Sequence, residues 1–399
     1  MIARTISLYK TSFTGLSKET WLLSVVMLIN RSGTMVVPFM TLYLTGKEMN
    51  RSLSDAGIVM ALFGLGSVIG AYFGGKFTDK IGFHKVQLVT LFCGGILFII
   101  LGQLHSYPLI CIFTFVLSFV NEAFRPANSS AVAFYSNPEN RTRSYSLHRL
   151  SVNLGWAVGT SVGGLVASFS YELLFWIDGL TNIAAAAMLF IIFKNKQTVI
   201  KKDAKKDEII PVQSAYKDKT YVWFIVLVTL FGLCFFQLFT TIPKYFRDNL
   251  YLSERFIGLL MAINGLLIVA IEMVLIYILE QKKKNMFFIR FGVILCALSF
   301  FTLLLPGNAK FITLLMIVFI TIGEITSMPF MTSYWTSRSN ENNRGQYAAL
   351  YTIAWGIGQT LGPFLCSMLV DATNFKVLFI VLGSILFITA FGFYKLSKR

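Results

Sequence analysis

The sequence has little charge and few residues that bind metals. Only 14% of its 399 residues are Asp, Glu, Lys or Arg, whereas soluble globular proteins carry about 25%. It contains 3 His and 5 Cys, and every Cys lies in an apolar stretch without a C-x-x-C pair. This pattern argues against a disulfide framework and a zinc site. We therefore expect neither a water-soluble fold nor a metal or cofactor.

Long apolar runs make up most of the chain. Hydrophobic residues account for 55% of it, and the mean hydropathy is +0.67. A helix that crosses a bilayer needs about 20 apolar residues, and twelve windows satisfy that length. The sequence thus predicts an all-α, multi-pass membrane protein, whose spans we number 1 to 12 in chain order. They lie near 20–44, 53–75, 86–104, 108–134, 145–169, 173–193, 221–243, 255–279, 286–305, 310–335, 346–369 and 376–394.

The positive charge is distributed asymmetrically along the chain. Lys and Arg number 35 against 19 acidic residues, a net charge of +16. If the N-terminus is cytoplasmic, the cytoplasmic segments hold 24 of these cations and the outer loops 7. Because Lys and Arg concentrate on the cytoplasmic side of membrane proteins, we expect both termini in the cytoplasm and the protein in the plasma (inner) membrane. The charge is then a topology signal, and no nucleic-acid partner is expected.

The chain divides into two related halves. The only long hydrophilic segment, 194–220, predicts a cytoplasmic linker between six-helix bundles at 1–193 and 221–399. Residues recur at an offset of 203, which indicates a duplicated unit. The matched pairs are Arg141 and Arg344, Gly155 and Gly358, Gly159 and Gly362, and Pro126 and Pro329.

A glycine and charge motif follows span 2. The segment Gly74–Lys85 resembles the signature G-x-x-x-D-[RK]-x-G-[RK]-[RK], which the major facilitator superfamily carries in the loop between its second and third spans. Glycine allows close packing or a tight turn, and the Asp can accept hydrogen bonds from a neighbouring helix end. We interpret these residues as parts of a gate. The positions in register are Gly75, Asp79, Lys80, Gly82 and Lys85.

Two further spans carry glycines at intervals of four residues, which let another helix approach closely. Span 5 resembles the antiporter signature G-x-x-x-G-P-x-x-G-G, with Thr160 in place of Pro. Span 11 repeats part of this pattern. The residues predicted to pack helices are Gly155, Gly159, Gly163, Gly164, Gly358, Gly362 and Pro363.

Ionisable residues in mid-span are candidates for binding substrate or protons, because each is costly in hydrocarbon without a partner or cavity. Arg31 lies in span 1, Glu122 and Arg125 in span 4, and Glu324 in span 10. Glu122 and Arg125 are three residues apart and could pair. Glu324 has no charged neighbour in its own span and is the leading proton or amine site. Arg149, near the inner end of span 5, is assigned to the gate, with snorkelling to the membrane surface as the alternative.

The sequence also offers uncharged candidates for the cavity wall. Most of the 38 Phe residues face lipid or core. Phe235, Phe236 and Gln237 in span 7, with Tyr334 and Trp335 in span 10, are better placed to line a central cavity.

The whole chain resembles the major facilitator superfamily, which implies two pseudo-symmetric six-helix bundles and transport by alternating access. Residues 121–128, and Gly-Glu324 followed by Pro329, are similar to the drug/proton antiporters of multidrug efflux. They also resemble the proton-coupled oligopeptide transporters, whose peptide-binding cations and acid correspond to Arg31, Arg125 and Glu324. The resemblance implies a small-molecule substrate, protons and the lipid bilayer as partners, and a monomer.

Two sequence departures and two other classes of protein bear on this resemblance. The peptide transporters' E-x-x-E-R-F-x-Y-Y motif is absent around Arg31, and Thr114 stands where many drug antiporters have an Arg. The absence of G-x-x-x-x-G-K-[ST] argues against an ATPase, and no catalytic constellation suggests an enzyme. We therefore expect proton-coupled efflux of amphiphilic compounds, with peptide uptake as the alternative within transport and a channel as the alternative outside it.

Overall fold

The computed structural model is built of helices throughout the residues that it describes, which are 2–46, 49–167, 169–194, 214–280, 282 and 284–398. Within these residues, twelve helices are long and apolar enough to cross a membrane. The predicted all-α fold with twelve spans is confirmed. Most of the predicted linker, residues 195–213, lies outside the described residues. An even number of spans places both termini on one face, which we call the inner face; the opposite one is the outer face.

The helices of the first half follow a short N-terminal helix, Ile2–Ser12. Span 1 consists of two helices, Lys18–Ser32 and Val36–Thr45. Spans 2 to 6 are Leu53–Ile81, Phe83–Gly102, Tyr107–Phe134, Arg141–Ala167 and Tyr171–Phe193.

The second half has the same order. Span 7 consists of Lys219–Phe235, a 3-10 turn at Phe236–Phe239 and a short helix, Thr241–Asp248. Spans 8 to 12 are Glu254–Leu279, Asn285–Thr302, Ala309–Arg338, Arg344–Ala372 and Phe375–Ser397.

The motif after span 2 is helical where a loop is predicted. Span 2 continues to Ile81 and ends at Gly82, which adopts φ +89°. No helix breaker precedes this glycine, and its positive φ favours a residue without a side chain. The charged end of the motif therefore extends span 2 by nearly two turns beyond the apolar window.

The first span of each half is broken at a corresponding place. In span 1, Asp178 of span 6 accepts hydrogen bonds at 2.9 Å from the backbone N–H groups of Met35 and Val36, where the second helix begins. In span 7, the Gln237 side chain donates a 2.8 Å hydrogen bond to the Leu233 carbonyl beside the break and accepts one at 2.6 Å from the Thr241 hydroxyl. Backbone groups freed inside a membrane need such partners, so each break is held by a buried polar side chain.

The glycine spans make equivalent contacts in the two halves. A Cβ on Gly155 would lie 2.6 Å from the Cβ of Arg31 in span 1, and one on Gly358 would lie 2.8 Å from the backbone of Gly232 in span 7. Span 5 thus packs on span 1 as span 11 packs on span 7. Gly159, Gly163 and Gly362 also meet these neighbours closely, at 3.2 Å or less. Gly164 meets only the ring of Phe39, at 3.7 Å, and Pro363 lies inside span 11, partly buried.

Candidate functional site

The inner end of span 2 is bonded to the start of span 11. Asp79 accepts hydrogen bonds from the backbone N–H groups of Gly345 at 2.6 Å and Gln346 at 3.0 Å. A carboxylate there satisfies free amide groups and complements the helix dipole. A Cβ on Gly75 would lie 2.5 Å from both the Gly345 carbonyl oxygen and the Ala349 Cβ. Spans from the two halves therefore touch backbone to backbone at the inner face.

The remaining motif residues lie outside this contact. Lys80 and Lys85 are exposed, and Gly82 forms the turn between spans 2 and 3. The structure thus brings Gly75 and Asp79 together with span 11 and leaves the two lysines on the surface.

A second contact between the halves joins the end of span 8 to the start of span 5. Glu280 forms an ion pair with the Arg143 guanidinium, with 2.5 Å between Oε1 and Nε. Burial raises the pKa of Glu280 to about 7, although Arg143 opposes this rise. Arg143 also donates a 3.0 Å hydrogen bond to the carbonyl of Thr14 and lies over the ring of Tyr277. The two contacts correspond: Asp79 joins the end of span 2 to the start of span 11, and Glu280 joins the end of span 8 to the start of span 5.

The interior holds an ionic triad formed by Arg149, Glu272 and Glu324. Arg149 Nη1 donates to Glu324 Oε1 at 2.7 Å, and its Nε donates to Glu272 Oε1 at 3.1 Å, with a further bond from Nη2 to Glu272 Oε2. Asn264 lies 3.4 Å from the other Glu324 oxygen. Both acids are nearly fully buried. Arg149 thus links span 5 of the first half to spans 8 and 10 of the second, with two carboxylates on one guanidinium.

A second charged group lies within the first half. Glu122 pairs with Arg125 at 3.1 Å between Oε2 and Nε. Arg31 and Glu122 line a small cavity of about 50 Å³, and neighbouring Asn30 and Asn182 share a 2.9 Å hydrogen bond. Within the described part of the chain, the buried Nε of Arg31 has no hydrogen-bond partner. This cavity therefore contains a cation without a matched anion.

The predicted aromatic residues pack in the second half, away from the Arg31 cavity. Phe235 and Phe236 meet the ring of Trp355 edge to face, with centroids 6.3 and 5.8 Å away. Gln237 is fully buried, bonded within span 7. Tyr334 lies 4.6 Å from the ring of Phe224.

Trp335 is fully buried at the junction of the halves. Its ring centroid lies 6.2 Å from that of Tyr145 in span 5 and 6.1 Å from that of Tyr351 in span 11. The neighbouring Thr336 hydroxyl is 3.2 Å from the Tyr145 hydroxyl. In this conformation Trp335 therefore packs between spans rather than facing open space.

Comparison with known proteins decides the family. The model of the Major Facilitator Superfamily matches residues 20–363. This chain belongs to that superfamily. It is 26% identical over 386 residues to an uncharacterized MFS-type transporter, YttB, of Bacillus subtilis (strain 168), covering 95% of each chain. It is 24% identical over 353 residues to multidrug resistance protein 2 of the same organism, covering 84% of each.

The fold has solved counterparts at low sequence identity. A bacterial homologue of the iron transporter ferroportin in an outward-facing state superposes with a TM-score of 0.75 at 17% identity, covering 96% of this chain and all of that one. This likeness shows a shared fold, and the family match makes the chain a major facilitator transporter rather than an enzyme.

In this major facilitator chain, hydrogen bonds hold the start of span 7 against the inner ends of spans 10 and 11. Asp218 accepts hydrogen bonds from Arg338 Nη2 and from the Tyr347 hydroxyl, both at 2.8 Å. Burial acts to raise the Asp218 pKa, but the hydrogen bonds from Arg338, the Tyr221 amide and Tyr347 hold it below its usual value. Ser214, just before it, bonds to Gln346 beside Asp79. The linker's end therefore adjoins the contact between spans 2 and 11.

Asp178 and Glu272 are acids within apolar spans, and the sequence predicts them only as packing or gating residues. Two further functional candidates, Asp218 and Glu280, escape the sequence prediction. Asp218 and Glu280 lie at span ends, where acids are common and carry no distinguishing pattern.

Proposed function

We propose that this protein exports amphiphilic small molecules in exchange for protons, by alternating access. The observation that carries the proposal is the triad of Arg149, Glu272 and Glu324, which joins the two halves through buried side chains. With both acids ionised, the triad has one negative charge in excess. A buried excess charge is costly, so a proton is a suitable ligand. The multidrug resistance relative supports efflux as the direction.

The proposed cycle couples this proton to the inner gate. In the state described, spans 2 and 11 and spans 5 and 8 are in contact at the inner face. On the outer parts of spans 2 and 8, no described atom outside the local helix backbone lies within 4 Å of the position that a Cβ on Gly57 or Gly258 would occupy. This arrangement suits an outward-facing state that is ready to take up a proton. Protonation of Glu324 or Glu272 removes one ionic bond to Arg149 and lets the halves separate on the inner side.

Charge balance favours the triad over Glu122 as the proton carrier. Glu122 has Arg125 as its own counter-ion, so that pair is neutral when ionised. Glu324 shares one guanidinium with Glu272. Proton binding therefore neutralises the triad, whereas it would leave Arg125 with an unbalanced positive charge.

The remaining parts of the proposal follow the sequence. Residues 1–193 and 221–399 form the two moving bundles, and 194–220 is a linker on the cytoplasmic side. The inner face is cytoplasmic, the membrane is the plasma membrane and the protein acts as a monomer. The excess of Lys and Arg in the inner segments supports this orientation.

Peptide uptake is less well supported by the site geometry. Its binding set would be Arg31, Arg125 and Glu324, but Arg125 pairs with Glu122 and Glu324 pairs with Arg149. Of these three, Arg31 forms no ion pair in the described structure, and its buried Nε has no hydrogen-bond partner there. A dipeptide would have to displace two ion pairs to reach this set.

The test is flux in proteoliposomes with an imposed pH gradient, using an amphiphilic dye and a dipeptide as substrates. We expect gradient-driven dye movement against its own concentration gradient, which a channel would not support. Glu324→Gln and Glu272→Gln should abolish the response to the gradient, and Glu122→Gln should retain it. Intact gradient-driven flux in both triad variants would refute proton coupling through the triad. Saturable dipeptide uptake lost in Arg31→Ala would favour the peptide function instead.

A further inference from the structure

The cavity beside Arg31 has the charge and size of a site for an acidic group. It lies within the first half, lined by polar residues of spans 1, 4 and 6 and by apolar residues of spans 2 and 3. The polar lining comes from Asn30, Arg31, Thr34, Asn121, Glu122 and Asn182. No residue of the Arg149 triad contributes to it.

The charges around this cavity do not balance. Glu122 has its carboxylate beside Arg125, at 3.1 Å. Arg31 and Arg125 therefore have this one acid between them. The Arg31 Nε is buried and, in the part of the chain that the structure describes, donates no hydrogen bond to any side chain or carbonyl. A guanidinium at the depth of the bilayer centre is costly unless it pairs or faces water. One positive charge is therefore in excess here.

The volume matches a small planar anion. A buried water needs roughly 10–15 Å³ of cavity measured in this way, and the cavity has about 50 Å³. It therefore has room for about three or four non-hydrogen atoms, which is enough for a carboxylate but not for a whole amphiphile. A guanidinium binds a carboxylate through two parallel N–H donors, and the neighbouring amide and hydroxyl groups can supply further hydrogen bonds.

We propose that this cavity binds the carboxylate of an amphiphilic organic acid, with Arg31 as its anchor, while the apolar part of the molecule extends out of the cavity. The inference deepens the proposed function, since it rests on transport of amphiphilic compounds and names acids among them. Arg125 has a different role, because it keeps the charge of Glu122 away from the incoming anion.

The experiment measures equilibrium binding to the purified protein in detergent, without any pH gradient. The probes are 1-naphthoate and the uncharged 1-naphthamide, which have nearly the same shape. We expect naphthoate to raise the unfolding temperature in a saturable manner and naphthamide to do so at least tenfold more weakly. Arg31→Gln should weaken naphthoate binding at least tenfold, and Arg31→Lys should weaken it less.

A second variant keeps the test decisive if Arg31→Gln does not fold. Glu122 is the only acid among the described residues that line the cavity. Glu122→Gln removes its charge, so naphthoate should bind severalfold more tightly. Equal stabilisation by both probes, or unchanged naphthoate binding in both Arg31→Gln and Glu122→Gln, would overturn the inference. Because this assay needs no coupling ion, Arg31-dependent binding can stand even where the Glu324 and Glu272 variants disprove proton-driven flux, and the reverse also holds.

Discussion

Arg149 is the residue on which the interior charge balance depends. Its guanidinium faces Glu272 and Glu324, and all three side chains are largely removed from solvent. Arg149→Gln would leave two buried carboxylates without a counter-ion, a change that typically costs about 3–5 kcal/mol. We expect a large loss of stability, measured by thermal unfolding in detergent.

The control for this prediction is Arg125→Gln. Arg125 pairs with only one acid, its side chain is 35% exposed, and Glu122 keeps Arg31 in the same cavity wall. The loss of Arg125 should therefore cost less stability than the loss of Arg149. Combining Arg149→Gln with Glu272→Gln should recover part of the lost stability, because one of the unpaired charges is then removed. An Arg149 variant as stable as the Arg125 variant would contradict the role assigned to the triad.

Glu280 makes the inner contact sensitive to pH. Burial raises its pKa to about 7 in the closed conformation, whereas an exposed Glu has a pKa near 4.3. The closed conformation therefore binds a proton more tightly than an open one, so closure is favoured at low pH and weakens as pH rises through about 7. The change is limited to about tenfold in the closed-to-open ratio per pH unit.

This pH dependence can be measured as a distance between the halves. The effect of Glu280 is measured in a Glu324→Gln background, where the triad no longer takes up the proposed proton. Spin labels at Lys194→Cys and Lys282→Cys, which are exposed on opposite halves, should there report more of the separated population at pH 8 than at pH 5.5. Glu280→Gln should reduce this dependence and keep the closed population high at pH 8. A pH response of the same size in Glu280→Gln would show that another group is responsible.

At the residue scale, the sequence identifies single charges but not their partners. Glu324 is conspicuous because it interrupts an apolar span, yet Arg149 is 175 residues away from it in the chain. Arg149 likewise meets Glu272 across 123 residues. Such contacts arise from the packing of one half against the other, which no local pattern encodes. By contrast, Glu122 and Arg125 pair within one helix, and their spacing of three predicts it.

The closest approach between the halves depends on glycine at the end of span 2. A Cβ on Gly75 would meet the backbone of Gly345 at 2.5 Å, whereas one on Gly57 in the same span would meet nothing within 4 Å. We expect Gly75→Ala to push span 11 away and increase the separated population seen with the Lys194 and Lys282 labels. Gly57→Ala is the matched control and should leave that population unchanged. Equal effects of the two substitutions would show that the contact between Gly75 and span 11 does not determine how closely the halves approach each other.

At the scale of elements, apolar periodicity predicts the existence of a helix more accurately than the position of its ends. The number of spans is confirmed, because each apolar window is long enough to cross a bilayer. The predicted end of span 2 is too early, since Lys76 and Asp79 interrupt the apolar window without breaking the helix. The break in span 1 depends on Asp178 of span 6, so it could not be read from span 1 alone.

For the whole molecule, the two contacts at the inner face form a pair related by the repeat. Asp79 at the end of span 2 meets span 11, and Glu280 at the end of span 8 meets Arg143 in span 5. Each therefore joins one half to the other, and separation of the halves must break both. The contacts share no residue, so their effects on opening should add.

Substitutions at these two contacts should act in opposite directions at pH 8. Asp79→Asn removes a charge from a helix N-terminus, a loss of about 1–2 kcal/mol, which favours opening roughly 5–30-fold. It should slow transport while changing substrate affinity much less, because Asp79 lies away from the cavity and the triad. Glu280→Gln favours closure at pH 8, because burial raises the pKa of Glu280 to about 7 in the closed conformation despite Arg143, and the amide cannot ionise. The double variant should therefore lie between the two single variants in the Lys194 to Lys282 distance distribution. A double variant that matches Asp79→Asn alone would mean that the contact between spans 2 and 11 controls closure by itself.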